Sequence, residues 1–321
     1  MKTSKILSLI LVLVLALSAI GALAESDKPL KAYAISVMSG GAAWGRFEEG
    51  FIDAATELGW EAKYLAPSTA NDITTMVQLT ETALNDGADI IAVSVQGEGL
   101  FQDVLQRAKD AGVVVIGASS GVPDLEDYCL AQVGTDTVQL GQNTADTLVE
   151  MMGDKPINVA IGQTVFSAET QNFQVDAFIE RLAEIAPDAV VVDRFECNSV
   201  PTTAADKLSA LYVAHPELNS VVSFDFNVGL GAASFVADYG IADDFMVVGI
   251  DDGADILTGI KNGNIDDTIA QQWYEIGRRC IEVAKMAVDG EEFDYEQGIP
   301  TVAVKPDMVD DWAAEAGISL D

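Results

Sequence analysis

The chain has 321 residues, 49% of them apolar, enough for two ordinary domains with sizeable cores. Seventeen Lys and Arg stand against 51 Asp and Glu, a formal net charge of −34. So acidic a chain repels polyanions, which argues against nucleic acid as a partner, and its surface is soluble and self-repelling.

Residues 1–24 differ from the rest. Lys2 and Lys5 precede the uncharged apolar run "ILSLILVLVLALSAIGALA", which ends in the small-x-small pattern Ala22-Leu23-Ala24 before polar "ESDKP". This reads as a secretory signal peptide cleaved near Ala24. The run approaches spanning length, so an uncleaved anchor is the alternative. No cysteine follows the run, so a lipid-modified N-terminus has no support, and no later segment is long and apolar enough to span a membrane. The mature protein is expected to be periplasmic or extracellular.

From residue 32 short apolar runs alternate with amphipathic stretches. "AYAISVM" reads as a buried strand, and the helix after it puts Phe47, Phe51, Ala54 and Leu58 on one face before stopping at Gly59. "EAKYLA" is a second strand. "NDITTMVQLTETALNDG" is a helix opened by Asn71 or Asp72 and closed by Gly87. "DIIAVSV", "LFQDVLQRAKDAG" and "VVVIGAS" follow as strand, helix and strand. "YCLAQVGTD" runs into the helix "TVQLGQNTADTLVEMMG", and the alternation restarts. Strands are expected at "INVAIGQ", "AVVVDRF", "SVVSFDF", "FMVVGID" and "DDTIAQQ", separated by helices. A last long helix, "YEIGRRCIEVAKMAVDG", precedes one short strand, "GIPTVAVKP". Such alternation predicts two α/β units of similar design, each a parallel sheet with helices on both faces.

Cys129, Cys197 and Cys280 are far apart and odd in number, and they read as free buried thiols, although export would permit one disulfide. The single histidine, His215, is expected to end a helix or face water, and one histidine builds neither a multi-histidine metal site nor, without a serine elbow, a triad. No metal and no cofactor is expected. "SVMSGGAAWGRFEEG" is not a dinucleotide fingerprint, because Gly40, Gly41 and Gly45 do not fit G-x-G-x-x-G, nor does it end as a P-loop.

Open parallel sheets bind ligands beyond the carboxyl ends of their strands. The residues there are Ser39 to Trp44, Ser94 to Glu98 and Ser119 to Gly121 in the first unit. In the second they are Gln163 to Phe166, Glu196 to Ser199, Asp225 to Asn227, Asp251 to Gly253, and Gln271 with Gln272. These strand ends carry no Lys or Arg, and the nearest is Arg46. The set suits a neutral hydroxylated ligand or a cationic one. Carboxylates accept strong bonds from hydroxyls, amides both donate and accept, and an aromatic face packs on the C–H side of a sugar ring. Each aspartate taken alone is as well explained as a helix cap, and Trp44 as a core or rim residue.

"MVVGIDDGADILTGIKNGNIDDTIAQQWYEIGRRCIEV" resembles the C-terminal signature of periplasmic sugar-binding proteins of the ribose-binding type, the extracellular components of ABC importers, which share the LacI-like effector fold. "ISVMSGGAAWGRFEEGFIDAATELGW", "DGADIIAVSVQGEGLFQDVLQRAKDAGVVVIGAS" and "AHPELNSVVSFDFNVGLGAASFVADYG" resemble further ordered segments of the family. The resemblance implies two Rossmann-like domains with parallel sheets, joined by a three-segment hinge with a ligand cleft between them. These are residues 28–134 plus 272–299, and 135–271 plus 300–321. It implies a stacking role for Trp44, hydroxyl binding by Asp225, the sugar-binding aspartate at Asp251 and the hinge-proximal glutamine at Gln271. Asn172 falls where many members carry an arginine, and Ser94 or Gln96, and Ser119, fall at first-domain contacts. Ser119 and Ser120 replace the family's Asp-Arg pair, which turns the expectation from ribose to another sugar or a sugar alcohol.

The expected function is therefore that of an exported, monomeric, non-enzymatic substrate-binding protein. It captures a monosaccharide or sugar alcohol by hinge closure and delivers it to an ABC transporter permease. The alternatives are a ligand-presenting subunit for a chemoreceptor or histidine kinase, and a ligand such as an amino-bearing sugar or nucleoside. A carbohydrate-active enzyme using Asp225 and Asp251, and a transcriptional regulator, are the weaker readings.

Overall fold

A computed structural model describes residues 28–97, 99–119 and 125–320. The leader at residues 1–24, and Glu98, Ser120 and Gly121 of the strand-end set, lie outside them. By the clustering of its contacts the chain forms two compact units. One contains the described residues through Gly134 together with Trp273–Ile299, and the other Thr135–Gln272 with Pro300 onward. The chain passes from one unit to the other at 134/135, 272/273 and 299/300.

The first unit is built from β1 (Lys31–Ile35), α1 (Ala42–Glu57), β2 (Glu61–Leu65), α2 (Ile73–Asn85), β3 (Ile90–Val93), α3 (Gln102–Asp110), β4 (Val114–Ala118) and β5 (Ala131–Thr135). The second begins with α4 (Thr137–Met152), β6 (Asn158–Gln163), α5 (Glu169–Ile185), β7 (Val190–Glu196), α6 (Pro201–Ala214) and β8 (Ser220–Ser223). It continues with α7 (Phe226–Tyr239), β9 (Met246–Ile250), α8 (Ala254–Lys261) and β10 (Asp267–Ala270). The chain then returns to the first unit with α9 (Trp273–Asp289) and β11 (Glu296–Ile299). It ends in the second with β12 (Val302–Val304) and α10 (Val309–Glu315).

The two sheets share one plan. Their orders are β11-β5-β4-β3-β1-β2 and β12-β10-β9-β8-β6-β7. Every pairing from β5 through β2 and from β10 through β7 is parallel, and β12 closes the second sheet antiparallel to β10. The inner strands β3, β4, β8 and β10 are buried along their whole length, because helices cover both faces. The edge strands keep exposed positions, at Glu61 and Lys63 in β2 and at Val190 and Asp193 in β7. Side-chain alternation along β1 sends Ala32 and Ala34 into one core layer and Tyr33 and Ile35 into the other. β6 does the same with Ala160 against Val159 and Ile161.

Three sequence expectations change. β5 is a full strand, which polar Gln132 and small Gly134 conceal in "AQVGT". "GIPTVAVKP" is not one strand but two, β11 and β12, in different sheets, separated at Pro300 and Thr301. Proline supplies no N–H to a ladder, so the break falls at a residue that pairing does not need. The tail also forms α10, whose Trp312 donates its Nε1–H to Asp252 Oδ2 at 2.9 Å. Cys129, Cys197 and Cys280 are free and buried. His215 takes the C-cap of α6, its backbone N–H bonded to Leu211 O. Among the described residues no helix is long and apolar enough to cross a membrane.

Candidate functional site

Among the described strand-end residues of the first unit, at 39–44, 94–97 and 119, none is charged. The turn from β1 to α1 needs Gly40 and Gly41, at φ 73° and 76°, and α1 starts with no side-chain cap. Trp44, in the first turn of α1, is half-buried. Its ring lies 5.6 Å from Phe47 in an edge-to-face pair and 5.1 Å from Trp273 in a tilted one. Ser94 is fully buried, and its hydroxyl donates to Ala118 O at 2.8 Å, tying the end of β3 to the end of β4. Gln96 is the half-exposed member of that pair of candidates. Ser119, directly after β4, has φ 67°, in the left-handed region, and its N–H donates to Val133 O at 2.7 Å.

In the second unit the strand ends are interlocked and acidic. Asp225 caps α7, its Oδ1 accepting from Asn227 N at 2.8 Å and from Cys197 Sγ at 3.3 Å, its Oδ2 from Thr164 Oγ1. Burial, with the Asp225 carboxylate beside it, pushes the Cys197 thiol up to about 11, so the sulfur stays protonated as a donor. Gln171 donates to Phe224 O at 2.7 Å and to Thr164 Oγ1 at 2.8 Å, and joins the ends of β6 and β8. The capping explanation of Asp225 is thus realised, and its carboxylate already holds three donors.

Asp251 has a different setting. It follows β9 at φ 65°, a backbone conformation that non-glycine residues adopt sparingly and that clusters at functional positions. Its own carbonyl accepts from Thr268 Oγ1 at 2.7 Å, which fixes the turn. Its Oδ1 accepts from Gln271 Nε2 at 2.6 Å, while Gln271 Oε1 accepts from Thr135 Oγ1 at 2.6 Å. The relay Thr135–Gln271–Asp251 orients the amide and one carboxylate oxygen. The Asp225 and Asp251 turns also touch, because a Cβ on Gly253 would lie 2.7 Å from Phe226 Cε2. Only glycine lets that ring close over the turn.

One expectation is corrected here. The second unit's strand-end chemistry does include an arginine. Arg194, two residues before the end of β7, sends Nη2 to Gln163 Oε1 at 2.6 Å and to Asn172 Oδ1 at 3.2 Å. Asn172 Nδ2 donates to Phe166 O at 2.9 Å, and the guanidinium sits 5.8 Å from the Phe166 ring. A guanidinium therefore reaches the position of Asn172 from a neighbouring strand. A rule that reads residues after strands passes over one inside a strand. Gln171, one turn into α5, and Thr135, at the end of a strand not recognised as such, escaped for similar reasons.

Residues 33–292 match the model of the family described as periplasmic binding protein domain. The chain is 26% identical over 246 residues to the xylitol-binding protein of Mycolicibacterium smegmatis, covering 76% of this chain and 68% of that one. It is 25% identical over 239 residues to the D-apiose import binding protein of Actinobacillus succinogenes, covering 73% and 74%. Its fold matches the sugar-binding protein of a sugar ABC transporter from Bacillus halodurans with a TM-score of 0.80 at 22% identity, covering 89% of this chain and 100% of that one. With its family model spanning residues 33–292 and two doubly wound units of one plan, the chain belongs to the periplasmic binding protein domain family.

Proposed function

We propose that this chain is the exported substrate-binding subunit of an ABC importer. It captures a monosaccharide or sugar alcohol and performs no bond chemistry. The observation that carries this reading is the Thr135–Gln271–Asp251 relay, which pre-orients a carboxylate and an amide at adjacent strand ends. Such a pair takes a vicinal diol well, with the carboxylate accepting and the amide completing the pattern. The second unit supplies this hydrogen bonding through Asp251, Gln271, Asp225 and Asn172. The first supplies the Trp44 ring with Gln96 and Ser119, and buried Ser94 braces their strands. Relatives named for xylitol and D-apiose support a five-carbon sugar or polyol as the ligand class.

A single ligand engaging both sets turns the crossings at 134/135, 272/273 and 299/300 into a hinge. The ligand shifts the equilibrium only by its added contacts in the closed form, which a membrane permease then reads. Residues 1–24 direct export and are removed near Ala24. A thermal-shift screen of the mature chain over aldopentoses, pentitols, amino sugars and nucleosides tests the reading. The melting temperature is expected to rise with the concentration of a pentose or pentitol. A rise confined to amino sugars or nucleosides, or none at all, overturns the sugar assignment.

A further inference from the structure

Trp44 does not stand alone. α1, which carries it, lies in backbone contact with α9. A Cβ on Gly50 would run into the Tyr274 carbonyl, and one on Gly277 into the Phe47 carbonyl. Polar and charged groups close the same seam. Arg278 grips Glu57 with two bonds of 2.9 and 2.8 Å, Tyr274 donates to Asp53 at 3.0 Å, and the Arg46 guanidinium lies 4.8 Å from the Tyr274 ring. At the head of this seam stands Trp273, the first residue of α9, its ring 5.1 Å from Trp44 at an interplanar angle of 50°. Trp273 immediately follows the crossing at 272/273, two residues after Gln271. Its Nε1–H is buried and has no acceptor among the described residues. Buried indole donors ordinarily find a partner, and a phenylalanine would pack here without that defect, so the breadth of the indole is what the position uses.

We infer that Trp273 is a positioning residue for ligand recognition. It fixes the plane of the Trp44 ring and so sets the preference for cyclic sugars over open-chain polyols. The inference rests on the sugar-binding reading above, with Trp44 as the stacking wall. A flat indole covers the C–H face of a closed ring, whereas a flexible polyol presents no fixed face, so loss of the wall's orientation penalises rings selectively. The close-packed α1–α9 seam carries the constraint, because a turn of α9 about its first residues would press on the helix that carries Trp44.

The test uses the mature full-length chain and measures dissociation constants for D-xylose, D-ribose and L-arabinose against xylitol, ribitol and arabinitol. Trp273→Leu is expected to weaken the preferred cyclic pentose about three- to tenfold, the size of an aromatic pair contribution, with the pentitols held within about twofold. Trp273→Phe, a narrower ring, is expected to recover only part of the ring preference that Trp273→Leu loses. In a Trp44→Leu background Trp273→Leu then changes the preference no further, as coupled residues require. Where Trp273→Leu fails to fold, the Trp273→Phe and Trp273→Tyr pair is measured instead. A partial, ring-selective loss of preference in both is the supporting result, and a wild-type preference in both overturns the inference. An unchanged preference in Trp273→Leu, equal losses for rings and polyols, additive effects in the double variant, or wild-type binding of pentitols alone overturns the inference while sugar-type binding stands. A wild-type chain that binds none of the six overturns both.

Discussion

Ser119 and Asp251 occupy the same place in the two units. Each directly follows the fourth strand of its sheet, and each is held in the left-handed region, at φ 67° and 65°. The backbone plan is repeated, but the side chain is a small hydroxyl in one unit and a carboxylate in the other. The contrast extends along both sheets. Beyond β1, β3 and β4 stand rings, amides and hydroxyls, with Ser94 turned inward to brace the strands. Beyond β6, β8, β9 and β10 stand carboxylates already bonded to a hydroxyl or an amide, Asp225 to Thr164 and Asp251 to Gln271. One unit offers a surface to pack on and the other a pre-oriented set of acceptors. The fold fixes where a ligand group stands, and the side chain after the strand fixes what it does there.

The sharpest way to break this comparison is to remove the acidic side of it. Asp251→Ala deletes a charge-assisted contact and leaves the Gln271 amide unpaired. It is expected to weaken ligand binding by about 1.5–3 kcal/mol, read by calorimetric titration, with the fold intact by circular dichroism. On the ring-bearing side, Gly50→Ala drives a methyl into the Tyr274 carbonyl and is expected to lower unfolding stability by about 1–3 kcal/mol in urea titrations. A change below a few tenths would show that the two helices part freely.

A third test compares the two ends of β10. Gln271 follows it at its carboxyl end. Asp267, at its start, is buried, and its Oδ1 has no partner among the described residues. Burial raises its carboxyl to about 6, with the Thr268 N–H and then Lys305 partly opposing and Glu150 and Asp266 reinforcing. The folded chain thus holds a proton there that the unfolded chain releases between about pH 4 and 6. This contribution to stability falls as pH rises through that window. Asp267→Asn is expected to raise the melting temperature at pH 7.5, with the gain shrinking towards pH 4, while ligand binding is unchanged. A gain independent of pH would contradict it. Smaller still, Thr164→Val removes one donor from Asp225 and is expected to cost about 1 kcal/mol of stability.

Much of this was legible in the sequence because buried parallel strands read as unbroken apolar runs, and the residues after them can be listed. That rule reached Asp225, Asp251 and Gln271. It missed Arg194 because an edge strand can send an interior side chain to its neighbours' ends. It missed the division at Pro300 because apolar spacing continues through "GIPTVAVKP" while the chain changes sheet. The pairing of Trp44 with Trp273 joins residues more than two hundred positions apart, and no local pattern carries it.

The Asp251–Gln271 pair is proposed to act on ligand hydroxyls, and calorimetric titration of the compound giving the largest thermal shift tests that most directly. Wild type should bind it saturably at one site. Asp251→Ala and Gln271→Leu should each weaken it severalfold or more, and the double variant by less than the sum of the two in free energy. Unchanged affinity in Asp251→Ala, with the protein folded, would contradict the account.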